Sequence, residues 1–416
     1  MVQRYLQSFK QESNLSRDSA LVVFASTLFF AGLFFSKALL SITTALLPLL
    51  AVAFFIQKKI DKKIFLYHPL FWFSILYFLS VLISGLYSSN TEYFLERLRI
   101  KLPFLILPLT LGAFAILNKN HFRLLKIIFL CIVMIAISFS VFNFIIDFEN
   151  VMESYKYAKV LPTPIHHIRF SLLVALAAFI CLTELIKKPF FADKLWYFFV
   201  IVLLICFVYL HILAVRSGLL ALYGGLFLIL VLELFRRKKY LFIFISCLFL
   251  IALPFLAYHT IPTFAQKYHY MKHDIGMYKA GEREVAYSDM RRLISLEAGL
   301  IAAKEGGFTG HGYGDIREAV DGAYEKLKPE VPVENRTLPH NQFLFSFIGG
   351  GVLTLLMLFL MTFFPFFSKK NYVLLTPLAF QFSQFTSFMT EHPLETQIGA
   401  AFFLFFLFFL GSEKEK

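Results

Sequence analysis

The chain has 416 residues, 58% of them hydrophobic, with a mean hydropathy of +0.70 and 54 phenylalanines. Soluble globular chains are about 45–50% apolar, and the excess here falls into repeated runs of roughly 17–25 residues, each long enough to cross a bilayer core. An ordinary soluble domain is excluded. The formal charge of +13 does not point to nucleic acid, because most basic residues sit in short segments between apolar runs, where they set orientation.

The fold class is therefore all-α: a polytopic membrane protein of about twelve spans. The first 18 residues, MVQRYLQSFKQESNLSRD, are polar and mixed in charge, and the run after them continues as a full span. It is expected to stay as an anchor rather than be cleaved. The spans read as 19–36, 38–56, 69–87, 101–117, 124–146, 168–186, 195–213, 217–235, 240–257, 341–366, 372–388 and 393–410. Tight turns near Ser36–Lys37 and Val215–Arg216 leave room for re-entrant pairs, and FTSFMTEHPLETQIG leaves slack in the last pair. QKKIDKK, NKNHFRLLK, KKPFFADK, FRRKKY and SKKN fall on one side of the alternation, with Arg4, Lys10 and Arg17 at one terminus and Lys414 and Lys416 at the other. That side holds 21 of the 40 Lys and Arg residues, and eleven more lie in one long loop that carries little topological weight. The positive-inside rule makes it cytoplasmic, with both termini.

The organisation reads as a bundle over 1–257 with about nine spans, an extracytoplasmic helical loop over 258–340 between spans nine and ten, and closing spans with a short tail over 341–416. A second outward segment covers 147–167. Within the long loop, EREVAYSDMRRLISLEAGLIAAKEGG predicts a helix of about six turns closed by Gly306 and Gly307. Ala286, Leu293, Leu296, Leu300 and Ala303 have the spacing of an apolar stripe on it. A glycine-rich turn, a second helix and a Pro-interrupted return follow, which suits a cap over the outer face. Cys131, Cys181, Cys206 and Cys247 fall inside apolar runs without metal or redox spacing and read as buried small hydrophobes.

Positive charge recurs on the outward side at Arg169, Arg216, Arg291, Arg292 and His340. Ionisable groups near membrane depth are costly unless paired or placed in a polar cavity, so they are functional candidates by default. Arg169 alone reads as an interfacial anchor, and one of Arg291 and Arg292 as an ordinary solvated residue. His340 has a structural alternative in a simple hydrogen bond, but it stands at a helix start, where unpaired N–H groups favour anions. His166 and His167 with His340 would make a metal trio, yet no Glu or Cys at ligand spacing accompanies them, so no metal is expected. GFTGHGYGD lacks the lysine of a P-loop, and no nucleotide cofactor is expected. Arginine forks bind phosphate oxygens bidentately, and histidine accepts a proton near neutral pH. Together they suit transfer from a lipid diphosphate: arginines hold the departing group while a base activates a sugar hydroxyl.

Three stretches in order carry a family resemblance: VRSGLLA, RLISLEAGLIAAKEGGFTGHGYG and PHNQFL. With them the chain resembles the bacterial O-antigen ligase and polymerase superfamily over most of its length. It is similar in layout to teichuronic acid and exopolysaccharide polymerases. The resemblance assigns Arg216 and Arg292 to the two family arginines, Gly310, Gly312 and Gly314 to a Gly-x-Gly-x-Gly turn, and His340 and Asn341 to the His-Asn motif. Leu296 stands where relatives commonly carry Trp. The resemblance implies a metal- and nucleotide-independent glycosyltransferase of the bacterial inner membrane, active on its periplasmic side. It would move a glycan from undecaprenyl diphosphate to a lipid A-core acceptor, or, as a polymerase, to another lipid-linked glycan. His340 would be the base and Arg216 and Arg292 the diphosphate ligands, with Arg169 and Arg291 in support. A lipid-linked glycan transporter is the rival outside the enzyme class, but no internal repeat supports it.

Overall fold

A computed structural model of the protein describes residues 16–149, 161–187, 193–260, 262–279 and 288–413. Arg4, Lys10, Lys188, Ala286, Lys414, Lys416 and most of the segment 147–167 lie outside the described residues. All regular elements among the described residues are helices. Eight of them are long and apolar enough to cross a membrane: Arg17–Phe35, Lys37–Ile56, Thr91–Ala115, Lys119–Ile146, His167–Ile186, Lys194–Leu213, Arg216–Arg236 and Gln342–Phe367. Pro69–Ser84 and Gln397–Ser412 are shorter apolar helices.

The two tight turns resolve into helical hairpins. Ser36 alone joins α1 (Arg17–Phe35) to α2 (Lys37–Ile56), its hydroxyl accepting from Leu39 N at 3.2 Å. Ala214 in the left-handed region (φ 50°) turns α9 (Lys194–Leu213) into α10 (Arg216–Arg236). α2 and α10 end alike at the opposite end of the bundle. Lys59 N bonds Phe54 O while Lys58 N bonds Phe55 O; Lys239 N bonds Leu234 O while Lys238 N bonds Phe235 O. This is the Schellman closure, with lysine (φ 56° at both Lys58 and Lys238) where glycine is usual. The left-handed lysine costs about 1 kcal/mol, but places positive charge at a helix C-terminus, where the dipole favours it.

The end carrying residues 307–341 is called upper here, the other lower. The short basic segments gather at the lower end and are tied there by ion pairs: Lys59 with Asp18, Lys126 with Glu184 (3.2 Å) and Glu413 (2.5 Å), and Arg237 with Glu233 (2.5 Å).

α4 (Pro69–Ser84), after the single-turn α3 (Lys63–Leu66), rises to the upper end. The expected span at 101–117 starts ten residues early: Asn90 caps α5 (Thr91–Ile106), which ends in a 3-10 turn at Leu107–Leu109 before α6 (Thr110–Ala115). Pro103 and Pro108 cannot donate backbone bonds, and they mark the break. α7 (Lys119–Ile146) opens on a capping box between Asn118 and His121, and α8 (His167–Ile186) follows. α11 (Tyr240–Thr260) leads to α12 (Pro262–Lys279), a polar helix that the sequence reading missed. In the closing segment α15 (Gln342–Phe363) and the short α16 (Lys369–Leu374) precede α17 (Thr376–Thr390), and α18 (Gln397–Ser412) ends the bundle.

α18 is apolar all round and buried from Gly399 to Leu410, as expected of a helix enclosed by others. Phe405 stacks on Phe29 at 4.2 Å, Phe406 meets Phe129 at 5.0 Å and Phe409 meets Phe122 at 5.3 Å, so the last helix is gripped by α1 and α7. In lipid, close packing rather than exclusion from water drives such association. Of the cysteines, Cys181 and Cys206 are buried as expected, whereas Cys131 is exposed on the outside of α7.

Over the upper end lie α13 (Ser288–Gly306) and α14 (Ile316–Leu327). The expected stripe on α13 is not its buried face. Of the stripe's residues Ala303 is buried and Leu296 half-buried, but Leu293 and Leu300 are exposed, while Met290, Ile294, Ala298 and Ala302 are buried. The reason is close approach: a Cβ on Gly299 would lie 2.5 Å from Pro339, so the small-residue side faces α15 and the leucines turn outward. The loop after α13 docks on a break in α15. His311 N bonds Ile348 O (2.8 Å), Gly312 N bonds Gly349 O (2.9 Å) and Val352 N bonds Phe308 O (2.9 Å). Gly351 there has φ 64°, ψ −156°, a region open essentially to glycine alone, and a Cβ would lie 2.1 Å from Phe308 O. Gly351→Ala should therefore cost about 2–3 kcal/mol, measured as a lowered thermal midpoint in detergent, with the 307–315 loop newly open to protease.

Candidate active site

His340 stands one residue before Asn341, the N-cap of α15, whose Oδ1 accepts from Leu344 N at 2.9 Å. The cap fixes where the chain enters the helix, and the His340 ring is thereby held over the turn that joins α17 to α18. Glu391, the first residue of that turn, bridges His340 and Arg292. Its Oε2 lies 3.1 Å from His340 Nδ1 and its Oε1 2.7 Å from Arg292 Nη2. Nδ1–H donates to the carboxylate, which leaves Nε2 of His340 as the acceptor nitrogen. Burial alone would raise the Glu391 carboxyl, but the hydrogen bond from His340 and the charges of His340, Arg292 and His392 outweigh it and hold the group below its ordinary value of 4.5. His392 is lowered, first by burial, and its Nδ1 donates to Pro339 O at 3.0 Å while its ring stacks on Phe345.

Helix register brings the other arginines to the same level. A Cβ on Gly218 would touch Ser171 at 2.3 Å, so α10 and α8 run side by side with Arg216 and Arg169 each two residues above that contact. A Cβ on Gly224 would touch Phe382 at 2.1 Å, which sets α10 against the antiparallel α17. Eight residues upward on each, about 12 Å of helix rise, put Arg216 level with Thr390, next to Glu391. His166 is held below its ordinary value by burial first, then by Arg169, with Glu391 opposing and Arg292 adding. His166, Arg169, Arg292 and Glu391 therefore share one electrostatic neighbourhood. The Nε of Arg169 is buried with no hydrogen-bond partner among the described residues. Arg291 is half-buried beside Arg292, and among the described ion pairs Glu391 takes Arg292, not Arg291.

The turn 391–396 rests on a buried polar floor. Lys101 is fully buried, and its Nζ donates to Leu394 O (3.0 Å) and Glu395 Oε1 (2.5 Å). Gln342 donates to Glu395 Oε1 (2.9 Å) and accepts from Leu394 N (2.9 Å). Tyr77 and Tyr313 present their rings to the same ammonium, each 5.7 Å away.

The glycine turn does not cradle an anion. Besides the bonds from residues 311 and 312 to α15, Tyr313 N bonds Ser84 Oγ (3.2 Å) and Gly314 N bonds Ser88 Oγ (3.0 Å). Gly310 (φ 75°) and Gly312 (φ 95°) allow this close docking against α15 and the end of α4. Arg336, near His340 in sequence, is spent structurally on Glu325 at 2.6 Å and on Val331 O.

The expectation that no acidic residue accompanies the histidine is corrected by Glu391. His340, Glu391 and His392 offer ligand atoms within 4.8 Å of one another, a set that can geometrically hold a metal ion. The surrounding guanidiniums oppose a dication and favour an anion. A basic imidazole nitrogen beside several arginines, at the rim of an apolar bundle, is an arrangement for activating a hydroxyl near a phosphate.

The O-antigen ligase family model matches residues 201–359, from within α9 to within α15. The chain carries an O-antigen ligase domain. It is accordingly a membrane enzyme that transfers glycans. No curated protein matches the chain. The ligase domain contains Arg216, Arg292 and His340, whereas Arg169, Lys101 and Glu391 lie outside the matched residues.

Glu391, His392 and Lys101 were missed by sequence reasoning. The available signals were an adjacent Glu-His pair at the mouth of a span and a lysine inside one, but neither names its partner. Glu391→Gln should lower transfer about a hundredfold through misplacement of His340 and Arg292, measured as initial rate. Because the folded carboxyl is depressed, its stabilisation is complete above the ordinary value of 4.5 and fades as pH falls through the lowered value. Thermal midpoints of wild type and Glu391→Gln should therefore converge in acid and diverge toward neutral pH.

Proposed function

We propose that the ligase domain and its flanking helices transfer a glycan from undecaprenyl diphosphate to the lipid A-core of lipopolysaccharide, on the periplasmic side of a bacterial inner membrane. In this reading about twelve helices cross the bilayer, the lower end and both termini are cytoplasmic, and residues 258–340 form the helical loop between spans nine and ten, with 1–257 and 341–416 as the membrane parts. The gathering of basic segments at the lower end supports that orientation.

The observation that carries the reading is the bridge from Arg292 through Glu391 to Nδ1 of His340. It leaves Nε2 to take the proton of an acceptor sugar hydroxyl. The hydroxyl oxygen attacks the anomeric carbon of the donor. The bond from that carbon to the diphosphate oxygen breaks, and its electrons leave with undecaprenyl diphosphate. Arg216 and Arg292, supported by Arg169 and Arg291, neutralise the charge that develops on the diphosphate. Attack opposite the leaving group inverts the anomeric centre. Asn341 caps the helix behind the base, and Gly310, Gly312 and Gly314 hold the outer helices in place. With arginines in the place of a cation, the reaction is metal-independent and takes no cofactor.

His340→Ala should lower transfer by about 10²–10⁴-fold with donor binding retained, and chelators should leave the wild-type rate unchanged. Arg216→Lys and Arg292→Lys should each lose transfer despite the conserved charge, because an ammonium cannot make the bidentate contact. The deciding experiment is deletion of the protein in its native organism, with complementation by wild type or His340→Ala, followed by size separation of lipopolysaccharide and carrier-linked glycan. Bare lipid A-core with long chains stranded on the carrier is the result expected of a ligase. Core bearing a single repeat unit would make the protein a polymerase, and unchanged patterns would overturn the reading.

A further inference from the structure

A cavity of about 870 Å³ opens at the lower end between α8, α9, α10 and α11. Leu230, the α10 lining residue nearest the upper end, is 14 residues from Arg216, so about 21 Å of helix separates this cavity from Arg216, and it is no part of the site above. Its lining changes with depth. Lys187, Arg237 and Lys239 stand at the mouth, Trp196 beside them, and Val200 and Leu230 are among the apolar residues further in. From Arg237 to Leu230 is seven residues, about 10 Å of helix.

The mouth keeps positive charge after its internal pairs are formed. Glu233 is shared by Arg236 and Arg237, both at 2.5 Å, whereas Lys187 and the buried Lys126 are matched by two carboxylates, Glu184 and Glu413, so the surplus comes from the arginine pair and from Lys239. Arg237 also reaches across the mouth to Ile186 O at 3.4 Å, which ties α10 to α8 on one side of the opening. Lys239 has no carboxylate at ion-pair distance among the described residues and lies over the Phe242 ring, 5.6 Å from its centroid. The left-handed turn at Lys238 fixes Lys239 in that position. Cations at headgroup level above an apolar slot match the two halves of a phospholipid, and basic pockets between transmembrane helices are where anionic headgroups bind. A soluble phosphate would use the mouth but leave the apolar depth empty.

We propose that this cavity is a binding site for one anionic diacylglycerophospholipid, with its phosphate on Lys187, Arg237 and Lys239 and its acyl chains against Trp196 and Leu230. The chain has two tryptophans, Trp72 and Trp196, and only Trp196 lines the cavity, which allows a direct test. The full-length protein carrying Trp72→Phe is reconstituted in phosphatidylcholine vesicles, and Trp196 fluorescence is titrated with phosphatidylglycerol or phosphatidylcholine brominated on the acyl chains. Phosphatidylglycerol is expected to quench at a much lower mole fraction. Lys239→Gln, which removes the cation without a carboxylate partner, should weaken that preference about fivefold, and Lys187→Gln with it by a similar further factor. Equal quenching by the two lipids would overturn the proposal, as would an unchanged preference in a Lys239→Gln protein of wild-type thermal midpoint. Relief of quenching by millimolar glycerol phosphate would instead make the mouth a site for soluble phosphate, which also overturns it.

Discussion

A buried ammonium decides how the upper end is built. Lys101 has no exposed surface and lies on α5 within a bundle that faces lipid. Such a charge is tolerated only with partners, and removing one member of a buried pair costs about 3–5 kcal/mol. Its partners are Glu395 and the carbonyl of Leu394, both in the turn between α17 and α18, and Gln342 of α15 closes the set. Glu391 is four residues before Glu395, and His340 is two before Gln342. His340 and its carboxylate partner Glu391 are therefore anchored to one floor, although 51 residues separate them in the chain.

Packing supplies the rest of the constellation. Arg292 reaches Glu391 because the small face of α13 lies against Pro339 and because the loop after it docks on the glycine break of α15. Arg216 and Arg169 are level with it because Gly218 and Gly224 let α10 lie tight against both α8 and α17. In a bilayer, where burial of apolar surface contributes little to association, such close contacts between small residues and large partners set the register.

Positive charge does two different jobs at the two ends. At the lower end it lies in short segments, partly neutralised by Glu184, Glu233 and Glu413. At the upper end Arg292 pairs with Glu391, and Arg169 and His166 lie in the same electrostatic neighbourhood.

Bilayer thickness and local chemistry made much of this legible in the residues alone. Helices occupy each of the apolar runs, and caps such as Ser36, Asn118 and Asn341 mark where they begin. The basic segments, the histidine at a helix start and the arginines were visible as types in position. The buried face of α13 was misjudged, because a leucine stripe is a local pattern while the choice of face belongs to the neighbour that Gly299 admits. Glu391, His392 and Lys101 stayed invisible for the same reason. A carboxylate at one span mouth, a histidine at another and a lysine inside a third acquire meaning only when helix register brings them within hydrogen-bond reach, and register is a property of packed pairs of helices rather than of either helix alone.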